Sequence, residues 1–142
     1  MDATTRFNTQ RVGALPVIAA YLEKLGIHEI IDEFVPWEGE VSLGTLVDVM
    51  ICNRLLNPKA QYKIGEWSQQ SGICEYYGVG QDELNDDRLG RALERIAAHA
   101  FTVQSQLILR VIKKFKLDVS KIHYDISNVE LYGYDLQSEV SG

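Results

Sequence analysis

Cysteine is scarce in this chain: of 142 residues only Cys52 and Cys74 carry a thiol, far apart and in no CxxC pair. The three histidines, His28, His99 and His123, are equally scattered, so no zinc-ligand spacing is present. Cys52 stands in the apolar run Val49-Met50-Ile51-Cys52 and reads as a small buried hydrophobe rather than a reactive thiolate. That usage fits a reducing cytosol. No apolar run reaches the length of a membrane span, and residues 1–10 lack the cationic and apolar regions of a signal peptide. The expected location is therefore cytoplasmic, with no membrane partner. Positive charge is also short, 14 Lys and Arg against 20 Asp and Glu for a formal net charge of −6. Such a balance excludes wholesale coating by nucleic acid, because phosphate neutralisation needs cations gathered on one face. Any DNA contact has to be local.

What is present is an ordinary globular composition, 46% hydrophobic and 24% charged. A domain of about 150 residues buries roughly 68–70% of its unfolded surface, so a core is attainable without disulfides or metals. Pro16 suits a first helical turn, and Val17, Ile18, Tyr21, Leu22 and Leu25 form an apolar stripe after it. Gly26 ends that helix, and Ile27, Ile30, Ile31 and Phe34 predict a second one before Pro36. Ser42 is an N-cap for a longer helix carrying Leu43, Leu46, Val47, Met50, Ile51, Leu55 and Leu56, broken at Asn57-Pro58. A further helix is expected over about residues 59–71, then a loop punctuated by Gly72, Gly78 and Gly80. Asn85-Asp86-Asp87 caps the next helix, with Leu89, Ala92, Leu93, Ile96 and Ala97 as its buried face. A last long helix runs from about Ala100 through Phe101, Val103, Leu107, Ile108, Val111, Ile112 and Phe115, its cations gathered at the C-terminal end.

After Leu117 the period changes. Ile122, Tyr124 and Ile126 alternate, which is the two-residue repeat of a strand, and Val129-Glu130-Leu131-Tyr132 reads as its continuation or a hairpin partner. An isolated hairpin is marginal by itself, so a sheet begins here without its other strands. Unpaired strand edges make self-association, a homo-oligomer, a further expectation.

Several segments, in this order, resemble a known family: Val12-Gly13-Ala14-Leu15-Pro16, Ser42-Leu43-Gly44-Thr45-Leu46-Val47, Asn53-Arg54-Leu55-Leu56-Asn57-Pro58, and Leu84-Asn85-Asp86-Asp87-Arg88-Leu89-Gly90-Arg91-Ala92-Leu93. With His123-Tyr124-Asp125 and Tyr132-Gly133 they resemble the N-terminal region of DDE-type insertion-sequence transposases. The helical segment of those enzymes is catalogued as a domain of unknown function. The resemblance implies a mostly α fold: a tail at residues 1–12, a helical domain at 13–118, and at 119–142 the first strand or β-hairpin of a truncated ribonuclease H-like α/β domain. It makes Asp125 the first of three catalytic, metal-binding carboxylates. Ile126 and Ser127 follow it where the family often has two threonines.

Nothing resembling the second and third carboxylates occurs before Gly142, so the chain by itself is expected to be catalytically incomplete and to hold no cofactor. Magnesium is implied for the complete transposase, since two-metal phosphoryl transfer needs several ligands around ions about 3.5–4 Å apart. DNA at transposon ends is the implied partner. The helix-break-helix at Asn57-Pro58 offers Arg54, Lys59 and Lys63 as phosphate contacts; Arg88 and Arg91 on one helix, and Arg110, Lys113 and Lys114 on another, offer two more basic clusters. Each cluster also reads as solvated helix surface, with Asp86, Asp87 and Glu94 available to the arginines, and Trp37 and Trp67 read as core anchors. A helical protein-interaction or oligomerisation module without DNA binding is the other reading that stays open.

Overall fold

The computed structural model describes residues 9–121; the expected strand at 121–132 and Asp125 lie outside them, apart from Lys121 itself. The fold is mostly helical, with seven α-helices among the described residues: α1 Leu15–Leu25, α2 Ile27–Phe34, α3 Leu43–Leu56, α4 Ile64–Ser71, α5 Ile73–Tyr77, α6 Asp86–Ala98 and α7 Ala100–Phe115. No strand occurs among the described residues. No described helix is long and apolar enough to cross a membrane.

The local signals explain where these helices start and stop. Ser42 Oγ accepts from the Thr45 N–H at the head of α3, and the Asn85 side chain accepts from the Arg88 N–H at the head of α6, each satisfying a donor that has no intrahelical partner. Gly26, at φ 69°, takes the left-handed turn that closes α1 and opens α2. Lys116, at φ 50°, caps α7 in the same conformation.

Helix α3 is the axis of the fold. Leu43, Leu46, Val49 and Cys52 are wholly buried along it, with α1, α2 and α6 packed around. Ile30 and Ile31 from α2, Leu89 and Ala92 from α6, and Trp67 and Ile73 complete the interior. Trp37 packs against this core and donates its ring N–H to the Val41 carbonyl at 2.9 Å. Both tryptophans are thus anchors, as their large apolar area favours.

Several helices lie differently from the sequence expectation. In α1 the buried residues are Leu15, Ala19 and Leu22, whereas Val17 and Tyr21 face water; the helix lies on α3 through the i, i+4, i+7 row rather than through the wider stripe. Leu55 at the end of α3 and Leu93 on α6 are also exposed. The stretch expected as one helix over 59–71 is a 3-10 turn at Gln61–Lys63 followed by α4. The expected loop after Gly72 contains the short helix α5, because Gly72 and Gly78, both at positive φ, turn the chain at either end and Ile73 is buried. In α7 no residue is buried.

Candidate nucleic-acid interface

The break between α3 and α4 is held from below by one buried amide. Asn53, on the last turns of α3, donates from Nδ2 to the Asn57 carbonyl at 3.0 Å and accepts at Oδ1 from the Lys59 N–H at 3.1 Å. A single side chain therefore satisfies the backbone on both sides of Pro58, where helix hydrogen bonding has stopped. The consequence is a rigid turn that presents Lys59 outward. Trp67 closes the floor beneath it, and Lys63 stands at the entrance to α4.

Around this turn run two adjoining grooves that share Asn57, Trp67 and Gln70, of about 200 and 620 Å³. Lys59 and Lys63 line the first, beside Glu66. Arg11 lines the second; its backbone N–H donates to the Gln70 carbonyl at 2.8 Å, and Gln10 Nε2 donates to the Gln69 carbonyl at 3.2 Å. Residues 10 and 11, expected within the N-terminal tail, are thus tied to α4. Arg54 is exposed on the last turn of α3. None of Arg11, Arg54, Lys59 and Lys63 is in an ion pair among the described residues. The sequence singled out three of these four cations. Arg11 had no motif to mark it, because only the tertiary path of residues 9–13 brings it beside α4.

The other two basic clusters are committed elsewhere. Arg88 is 3.5 Å from Glu40 and donates to the Glu83 carbonyl at 3.2 Å, and Arg91 is 2.8 Å from Asp87. Both line a groove of about 860 Å³ with Trp37, but Glu38, Glu40 and Glu94 line it too. Arg110 donates to the Gly26 carbonyl at 3.0 Å and is 3.6 Å from Glu29, while Lys114 donates to the Lys24 carbonyl. These two cations fasten α7 onto the α1–α2 corner. Lys113 is exposed on α7. Of the implied sites, then, only the α3–α4 turn gathers several cations that are unpaired among the described residues.

A polar cluster that no sequence motif marks joins α2 to the head of α3. His28 lies 3.1 Å from Asp32 and, through Nδ1, 3.3 Å from Asp48. Ser42 Oγ is 3.4 Å from His28 Nε2, but that hydroxyl is already engaged with Thr45 as the cap of α3, which suits a structural role better than a nucleophilic one. Asp32 Oδ1 accepts from the Gly44 N–H at 2.7 Å. Burial pushes the Asp48 carboxyl up to about 6, against the opposing pull of His28. Burial likewise pushes up the thiol of Cys52, which lies 3.8 Å from the Tyr77 hydroxyl, and so disfavours its thiolate.

Among the described residues no group of three His, Cys, Asp or Glu is arranged to hold a metal ion. The profile of a family described as "Domain of unknown function (DUF4277)" matches residues 7–110. No curated protein and no solved structure matches the chain.

Proposed function

The chain belongs to the DUF4277 family, and we propose that it acts as a DNA-binding module, the N-terminal region of an insertion-sequence transposase that contributes recognition of transposon ends. One observation carries this reading: Arg11, Lys59 and Lys63 line the two grooves at the Asn53-braced turn between α3 and α4, Arg54 is exposed on the last turn of α3, and none of the four has an ion-pair partner among the described residues. In a protein of net charge −6, cations left unpaired on one edge are the local exception that phosphate contact needs. The resemblance to DDE-type transposases supplies the kind of DNA, and on that footing Asp125, outside the described residues, is the first carboxylate of the complete enzyme's site.

The test is fluorescence anisotropy with a duplex from the DNA flanking the gene against a scrambled duplex, titrated with salt. Lys59→Glu with Lys63→Glu should weaken binding by about tenfold or more at low salt, because each reversal removes a phosphate contact and adds a repulsion. Unchanged affinity in that variant would reject the interface. Supplied with magnesium, the chain is expected not to nick DNA, and nicking abolished by Asp125→Ala would reject that part of the reading.

A second reading, a helical interaction or oligomerisation module without DNA binding, is favoured by α7, on which Phe101 is 83% exposed. A stable dimer with no DNA affinity at low salt would select it.

A further inference from the structure

Helices α6 and α7 are separated by one residue. His99, at φ −116° and ψ 13°, is the only break between Ala98 and Ala100, and no Gly or Pro stands between Arg91 and Phe115. Ala97, Ala98 and Ala100 flank it, and alanine is the strongest helix former. The local sequence supplies a helix that continues, and the fold bends it.

The bend leaves backbone groups without helical partners. His99 Nδ1 donates to the Arg95 carbonyl at 2.9 Å, taking the acceptor that the His99 N–H would have in a straight helix. The Val103 N–H reaches back to the His99 carbonyl at 3.0 Å, but no side chain among the described residues caps the amides of Ala100, Phe101 and Thr102 at the head of α7. Turning both torsions of His99 by about 55° restores helical values, and these three amides then meet the carbonyls of Ile96, Ala97 and Ala98.

The same rotation lifts α7 from a shallow seat, since no residue of this helix is fully buried. Val103 packs against the core, Arg110 donates to the Gly26 carbonyl at 3.0 Å, Lys114 donates to the Lys24 carbonyl, and the Lys24 ammonium stands 5.2 Å from the centre of the Phe115 ring. A vacated seat fits one occupant contact for contact, the α7 of a second copy, because its sequence is the same.

We infer that α6 and α7 straighten at His99 into one helix from Asp86 to Phe115, about 45 Å long, and that two chains exchange their α7 helices, each seated on the α1–α2 corner of the other. The exchange remakes the contacts of the seat and adds three backbone hydrogen bonds per chain, against the entropy of association, so it shows at high protein concentration. It is independent of the DNA-binding reading, whose four cations lie on neither α6 nor α7.

The experiment mixes equal amounts of isotope-labelled and unlabelled full chain, concentrates them to millimolar protein, separates monomer from dimer by size exclusion and treats each with an amine crosslinker. Lys24 and Lys114, exposed and adjacent where α7 meets α1, report the exchange. In the dimer about half of their mutual crosslinks should join a labelled to an unlabelled chain, and in the monomer none. His99→Ala removes the ring's hold on the Arg95 carbonyl and raises helix propensity, and should tighten the dimer about tenfold. Phe101→Pro should leave only monomer. It puts proline at the second position of α7, as Pro16 stands in α1, yet in the interior of the straight helix, where it deletes a hydrogen bond and clashes with the preceding turn. A dimer whose Lys24–Lys114 crosslinks are all unmixed is a face-to-face pair and overturns the inference. So does a wild type that stays monomeric at every concentration, or a Phe101→Pro chain that dimerises as readily as the wild type.

Discussion

Asp48 has one carboxylate oxygen, Oδ1, buried without a hydrogen-bond partner among the described residues, and the other bonded to His28. Because burial raises its pKa from 3.8 to about 6, the folded chain holds this proton more tightly than the unfolded chain does. The stability that the group contributes is therefore complete below about pH 4 and is lost as pH rises through about 6, roughly 2–3 kcal/mol over that window. Asp48→Asn cannot ionise, so urea denaturation should show the variant gaining that much on the wild type between about pH 4 and about pH 7. A stability difference that stays constant with pH would mean that Asp48 does not titrate in this way. Gly44 makes a second residue-scale case. A Cβ there would lie 2.7 Å from the His28 carbonyl oxygen and 2.8 Å from its ring, because α2 and α3 cross at this point. Replacing an interior helical glycine with alanine ordinarily stabilises by about 1 kcal/mol, yet Gly44→Ala should cost about 1–3 kcal/mol in chemical denaturation. Neither role is written in the local sequence: both depend on what α2 brings against α3.

At the scale of elements, the ends of helices were the most legible feature. Ser42 and Asn85 are capping residues on sequence grounds, and both cap in the structure through side-chain hydrogen bonds. Ser42→Ala and Asn85→Ala should each lower stability by about 1 kcal/mol, read as a shift in the urea midpoint without a change in slope. The faces of helices were less legible. Val17 and Tyr21 on α1, and Phe101 and Ile108 on α7, are apolar residues that a periodicity argument turns inward, yet the fold leaves them exposed. When apolar residues cover more than one flank, sequence spacing cannot choose the flank; on α7 the inward residues include Val103, which packs against the core, and Arg110, which donates to the Gly26 carbonyl. Arg110→Ala should loosen that attachment, with a cost of about 1 kcal/mol arising mostly from the carbonyl bond, since its pairing with Glu29 is solvent-screened. Faster amide hydrogen exchange in α7 of the variant than in α7 of the wild type would report it; equal protection in the two would show that the bond holds nothing.

For the whole molecule, the mixture of net acidity and a set of cations without ion pairs among the described residues sets the form of the proposed DNA binding. If Arg11, Arg54, Lys59 and Lys63 each meet a phosphate, the logarithm of the affinity should fall with the logarithm of salt at a slope of about −3.6. Lys59→Glu with Lys63→Glu should bring that slope to about −1.8 or shallower. A wild-type slope near zero would show that phosphates are not what this edge contacts. Part of this edge was legible from Arg54, Lys59 and Lys63 flanking an Asn-Pro break, while Arg11 joins it only through a chain path that returns residues 9–13 to α4.

Composition, capping residues and breaks determined by themselves that the chain would form a mostly helical fold, where most of its helices begin and end, and that Cys52 would be buried. Those are local or averaged properties, decided within a few residues of backbone. Tertiary structure alone decided which arginines are committed to acids and carbonyls and which stand without an ion pair among the described residues, that His28 would meet Asp48 from another helix, and that Phe101 on α7 would stay exposed. Each of these rests on contacts between residues distant in sequence, whose pairing is fixed only when the helices find their common packing around α3.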